Sequence, residues 1–169
     1  ALQHANPERV LVLGGGVEGL ITEVLRHKPR IVDYVELNAA MLGAVRPHLP
    51  VDIQRSFRDE RVRVIVDDPR RFLNRSLSYD LILVGMPEPA SGQANRFYTR
   101  EFFRQCLQKL DAQGILAFTL QSSENFWTPQ LTSRMASIYR AAKMSFPEVV
   151  VVPGGTNIVI GSRNRLARD

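Results

Sequence analysis

Short, almost unbroken apolar runs alternate along this chain with stretches whose apolar residues recur at helical spacing. The run RVLVL (9–13) follows Pro7 and ends in three glycines, Gly14, Gly15 and Gly16. Between residues 18 and 27, Leu20, Ile21, Val24 and Leu25 fall on one helical face. IVDYVEL (31–37) is β-branched and reads as a second strand, and AAMLGAVRPHL as a short helix closed by Pro47. VRVIV (62–66) predicts a third strand ending at Asp67 and Asp68, with Pro69 opening the next helix, where a missing amide costs nothing. DLILVG (80–85) predicts strand four, and a polar, proline-rich loop covers 86–98. TREFFRQCLQKL (99–110) predicts a helix capped by Thr99 and stopped by Gly114, before ILAFTL as strand five. A long helix over 128–143 and a hairpin, EVVVV (148–152) turning through PGG into TNIVIG (156–161), complete the pattern. Five apolar strands separated by helices predict an α/β fold: a parallel sheet covered on both faces, with an antiparallel strand from the hairpin.

With 169 residues the chain is expected to form a single domain over 1–169. Hydrophobic residues make up 44% and charged residues 23%, the balance of a folded globule rather than a disordered chain. The net charge is +5, and 19 of the 22 basic residues are arginine. No basic run is longer than Arg70 and Arg71, so a solvated surface is expected and no nucleic acid partner. The single cysteine, Cys106, excludes an internal disulfide and fits a buried core thiol. His4, His27 and His48 are dispersed, and no metal site is expected. Lacking an initiator methionine, the sequence is expected to be a fragment of a longer protein.

Open α/β sheets bind ligands beyond the carboxyl ends of their strands, where the strand order reverses. After strand one, Gly14, Gly15, Gly16 and Gly19 allow a sharp turn and close backbone approach to a ligand. Glu36 follows strand two, 22 residues beyond Gly14, with the chemistry to accept from both ribose hydroxyls. After strand three, Asp67 and Asp68 have two roles open to them: accepting an adenine amine, or capping the helix. The Gly14-x-Gly16-x-x-Gly19 spacing leaves a dinucleotide open, but Glu18 beside the phosphates is unfavourable and suits a cationic sulfonium instead. Glu18, Glu36, Asp67, Asp68 and Glu88 are expected to converge on one acidic crevice. Two further roles stay open: Phe97, Tyr98, Phe102 and Phe103 as a partner surface or as core, and Trp127 at the pocket mouth or packed.

Taken in order, VLVLGGGVEGLITEVLRH, VEL, ERVRVIVDDPRRFL, YDLILV, PEP and FYTREFF resemble the spermidine synthase (polyamine aminopropyltransferase) family over roughly residues 7–125. The resemblance implies a class I methyltransferase-like Rossmann fold with a seven-stranded, mostly parallel sheet. It implies decarboxylated S-adenosylmethionine as donor, with S-adenosylmethionine or methylthioadenosine as related ligands, and a polyamine as acceptor. Donor contacts would fall at Gly14, Gly15, Gly16 and Gly19, with Glu36 and Leu37 at the ribose, Asp68 and Pro69 at the adenine, and a further contact near Gln121. The family's loop usually reads GGGDGG, whereas here the acid's place is Val17 and Glu18 follows. Its strand-four motif, D-x-x-D-P, here reads Gly85-Met86-Pro87-Glu88-Pro89, so the general base is replaced by Gly85 and only Glu88 remains as a weak catalytic candidate. The family's N-terminal β domain is missing from this sequence. These departures predict that the adenosine pocket is kept while aminopropyl transfer is impaired. An S-adenosylmethionine-dependent methyltransferase and a non-catalytic interaction module are the alternatives. The loop sequence also resembles relatives fused behind membrane segments. The expectation is therefore a cytoplasmic homodimer, or the cytoplasmic domain of a membrane protein.

Overall fold

The apolar runs pair into one seven-stranded sheet in the computed structural model, which describes residues 4, 6–89, 91–122 and 128–166. Trp127 lies outside the described residues. The strands are β1 (Arg9–Gly14), β2 (Ile31–Glu36), β3 (Val62–Val66), β4 (Tyr79–Gly85), β5 (Leu110–Gln121), β6 (Glu148–Val152) and β7 (Thr156–Ser162). Their order is β3-β2-β1-β4-β5-β7-β6. The first five run parallel, and β7 inserts antiparallel between β5 and β6. The fold class expected from the sequence is the one observed.

Alternation along the strands divides the core into two layers. Leu11, Leu13, Ile82 and Leu116 point to the face covered by α4 (Pro69–Arg75), α6 (Arg100–Gln108) and α7 (Pro129–Lys143). Val10, Val12, Val32 and Tyr34 point to the other, under α1 (Leu20–Leu25), α2 (Ala39–Val45) and α3 (Val51–Ser56). Phe97, Tyr98, Phe102 and Phe103 are all buried, so they are core and not a partner surface. Cys106 is buried among them, and desolvation pushes its thiol pKa up, as expected of an inert core thiol. No helix of the described residues is long and apolar enough to cross a membrane.

Three local expectations are corrected. The helix predicted from residue 18 begins only at Leu20, because Gly16–Glu18 forms a separate 3-10 turn and Gly19 is left-handed. Helix α6 ends at Gln108, and Gly114 is no helix stop. It lies where β5 bulges away from β4, since Tyr79 pairs with Leu110 but Leu81 already pairs with Ile115. Two short helices had no periodicity long enough to announce them: α3, and α5 (Gly92–Asn95) within the predicted loop.

Phe103 is fully buried and stacks on Phe118 at 5.3 Å between ring centroids. Phe103→Ala is therefore expected to lower the unfolding free energy by about 3–5 kcal/mol, measured by urea denaturation followed by circular dichroism.

Candidate functional site

The strand order reverses between β1, which continues to β2, and its other neighbour β4, so the loops after β1 and β4 frame the crevice. Gly14 and Gly15 both take φ of 70°, a conformation that L side chains avoid. They turn the backbone straight onto Gly85. A Cβ built on Gly85 would stand 2.9 Å from the Cα of Gly15 and 3.0 Å from the carbonyl oxygen of Gly14. One built on Gly16 would stand 2.5 Å from the ring of Tyr34. At Gly14, Gly16 and Gly85 the room that a side chain would need is taken by neighbouring backbone, the Met86 sulfur or the Tyr34 ring, so glycine is required there by packing whatever the loop binds.

Tyr34 is the site residue the sequence pattern did not single out. Its hydroxyl donates to Glu36 Oε2 at 2.6 Å, while Glu36 Oε1 accepts the Asn38 amide at 2.9 Å. Burial, followed by the neighbouring Glu36 carboxylate, pushes the Tyr34 pKa up, so the phenol stays a donor. Glu36 is buried at the end of β2, fixed by Tyr34 to the underside of the glycine loop, and each oxygen keeps a lone pair for another donor. The signal was the two-residue spacing of Tyr34 and Glu36, which sets both on one face of β2. Leu37, the next residue, is 45% exposed. Val17 packs against the core, whereas Glu18 is exposed.

The remaining acids are matched by arginines. Asp67 is buried, accepts the Asp68 amide at 2.8 Å, and pairs with Arg71 and Arg75. Asp68 caps α4 by accepting the amides of Arg70 and Arg71, at 2.9 and 3.3 Å, and its other oxygen pairs with Arg96. Pro69, buried, takes the first helical position. An aspartate holding three donors has little left for an adenine amine. Desolvation raises the pKa of both aspartates, but the arginine and amide bonds outweigh it and the net shift is downward. Glu88 accepts the Gln121 amide and pairs with Arg134 at 3.2 Å. Arg96 and Arg134 come from distant sequence, so the expected acidic crevice is largely neutralised.

Nor do the acids share one cavity. A cavity of about 450 Å³ is lined by Gly15, Glu18, Gly19 and Gly85, then runs over Leu83 and Ala117 on the sheet. Glu36 and Asp68 do not line it. A second cleft, about 580 Å³, lies between Tyr98 and α7, with Pro89 and Arg134 on its wall. Among the described residues, no three His, Cys, Asp or Glu side chains are grouped to hold a metal ion.

Residues 1–163 match the family model described as spermine/spermidine synthase domain. The chain is 36% identical over 146 residues to a polyamine aminopropyltransferase of Korarchaeum cryptofilum, covering 86% of this chain and 44% of the relative. It is 42% identical over 119 residues to one of Synechococcus sp., covering 69% and 38% respectively. It thus spans less than half the length of these curated relatives. Among solved structures, a spermidine synthase in complex with the transition-state analogue AdoDATO superposes with a TM-score of 0.83 at 23% identity, covering 96% of this chain and 57% of that one. Human methyltransferase-like protein 13 in complex with SAH gives 0.69 at 18% identity, covering 96% and 75%.

Gly85→Asp is expected to destabilise the fold by about 1–3 kcal/mol through overpacking against the Gly15 backbone, measured by denaturant unfolding. For the depressed aspartates, the unfolded chain takes up protons before the folded one, so stability rises with pH in that range. The contribution of Asp67 and Asp68 is therefore complete above about pH 5 and declines as pH falls through the usual carboxylate value of about 3.9 and below. Asp67→Asn should lower stability at pH 7 and flatten the acid limb of a melting-temperature profile between pH 7 and 2.5. Part of that limb should remain, because hydrogen bonding to Arg61 holds Asp59 at about 2.

Proposed function

The chain belongs to the spermine/spermidine synthase family, and from that membership we propose that it binds decarboxylated S-adenosylmethionine or a related adenosyl ligand, with aminopropyl transfer to a polyamine impaired. The observation that carries the binding half is Glu36. It is a buried carboxylate at the end of β2, oriented by Tyr34 and the Asn38 amide and coupled through Tyr34 to the glycine loop. A carboxylate with a lone pair left on each oxygen, at the carboxyl end of the strand beside β1, suits a vicinal diol such as a ribose. The glycines contribute by fixing the loop over Tyr34, which gives the reading a different basis from direct backbone approach.

Impairment is the second half. An acceptor amine must lose a proton to attack the carbon beside the sulfonium, and a positioned base contributes about 10²–10⁴-fold to such a step. The residue that would supply it by resemblance is Gly85, which has no titratable group, and the room for a side chain there is taken by the backbone of Gly14 and Gly15. The other acid of that loop, Glu88, is engaged by Arg134 and the Gln121 amide. Methyl transfer from S-adenosylmethionine to an already nucleophilic acceptor depends less on a base, and the same observation at Gly85 favours it as the second reading.

Calorimetric titration with decarboxylated S-adenosylmethionine, S-adenosylmethionine and methylthioadenosine should show saturable binding of at least one. Glu36→Gln should weaken it at least tenfold, about 1.4 kcal/mol. Silence with all three ligands overturns the binding claim. Preference for S-adenosylmethionine over its decarboxylated form selects methyl transfer, and fast wild-type turnover with putrescine refutes impairment.

A further inference from the structure

We propose that Arg134 is a specificity-determining residue: by pairing with Glu88 it closes the end of β4 to dicationic and polycationic acceptors and leaves the cleft beside α7 to neutral or zwitterionic ones. Glu88 lies three residues beyond β4, at the strand whose carboxyl end borders the switch point. Both its oxygens are committed, one to the Gln121 amide at the end of β5 and one to the Arg134 guanidinium at 3.2 Å. The pair is partly sheltered, with side-chain exposures of 34% for Arg134 and 22% for Glu88, so water screens it incompletely.

The adjoining cleft has the matching character. Among the described residues lining its 580 Å³, Arg134 is the one with a charged side chain, and the polar remainder includes Asn95, Tyr98, Gln130 and Ser133. Tyr98 is held in place by donating to the Met86 carbonyl at 2.8 Å. A diamine approaching here meets a cation first and must break the pair with Glu88 to find an anion. Asp67 and Asp68 offer no substitute, because Arg71, Arg75 and Arg96 hold them. The cleft therefore recognises a molecule by hydrogen bonds and at most one anionic group facing Arg134. This inference rests on the family reading only for its choice of amines as the ligands to be refused.

The test is calorimetric titration of putrescine and spermidine into the full chain at low salt, with and without methylthioadenosine. Wild type should show no saturation up to millimolar amine. Arg134→Gln should bind at least tenfold more tightly, Arg134→Lys should behave like wild type, and adding Glu88→Gln to Arg134→Gln should abolish the gain. Melting curves identify any variant that fails to fold, and Arg134→Ala then takes the place of the glutamine. Wild-type binding equal to that of the glutamine variant, absence of any gain in a folded variant, or a gain that survives Glu88→Gln overturns the proposal. The titrations without nucleoside keep the outcome separate from adenosyl binding, whose failure would count against the proposed adenosyl ligand alone.

Discussion

Backbone meets backbone where β1 and β4 end. Gly14 and Gly15 lie against Gly85 so closely that a single Cβ at position 85 would be 2.9 Å from a main-chain carbon. That contact sets the height of the glycine loop, which in turn presses Gly16 onto the ring of Tyr34, and Tyr34 carries the hydrogen bond that orients Glu36. The floor of the crevice is thus a chain of contacts between small residues and one phenol. Its geometry is determined by packing rather than by flexible loops, and a base could be added at Gly85 only by disturbing the residues that position Glu36.

Charge is arranged on a different plan from that suggested by composition. The excess of arginine is not only an outer coating, since Arg71, Arg75, Arg96 and Arg134 reach into the strand ends and neutralise Asp67, Asp68 and Glu88. Arginine suits this task because its planar fork holds a carboxylate while its own donors stay satisfied at a half-wet boundary. Glu36 is left as a buried acid held by neutral groups, a phenol and an amide. A site with one uncharged-partner carboxylate among several arginine-matched ones can discriminate by hydrogen bonding more than by net attraction.

How far the sequence disclosed this can be traced residue by residue. The five parallel strands and the hairpin were legible because apolar runs of strand length leave few alternatives in a helix-separated series. Glu36 was legible from its spacing to Gly14. Helix α3 was not, being only six residues long, with Ile53 as its one residue packed on the core and Phe57 following at its cap. Gly114 misled because a glycine after a helical pattern usually ends it, whereas here pairing between β4 and β5 drew residues from 110 onward into the strand and left the glycine at a bulge. The partners of the acids divide in the same way. Arg71 follows Asp67 by four residues across the start of α4, within reach of local rules. Arg96 and Arg134 arrive through tertiary structure, and nothing in the spacing announces them.

The terminal hairpin has a consequence for solubility. Strand β6 lies at the edge of the sheet and contains four consecutive valines, with Val151 and Val152 more than a third exposed. An apolar, β-branched segment on an open edge is a template for pairing with other chains. The chain answers this with punctuation: Pro147 stands immediately before the strand and Pro153 immediately after it. Proline has no N–H to give to a hydrogen-bonded ladder, so the regular pairing edge that β6 offers is confined to the five residues between the two prolines. The two prolines thus keep the exposed pairing edge short, which is one of the ways open sheet edges are blunted.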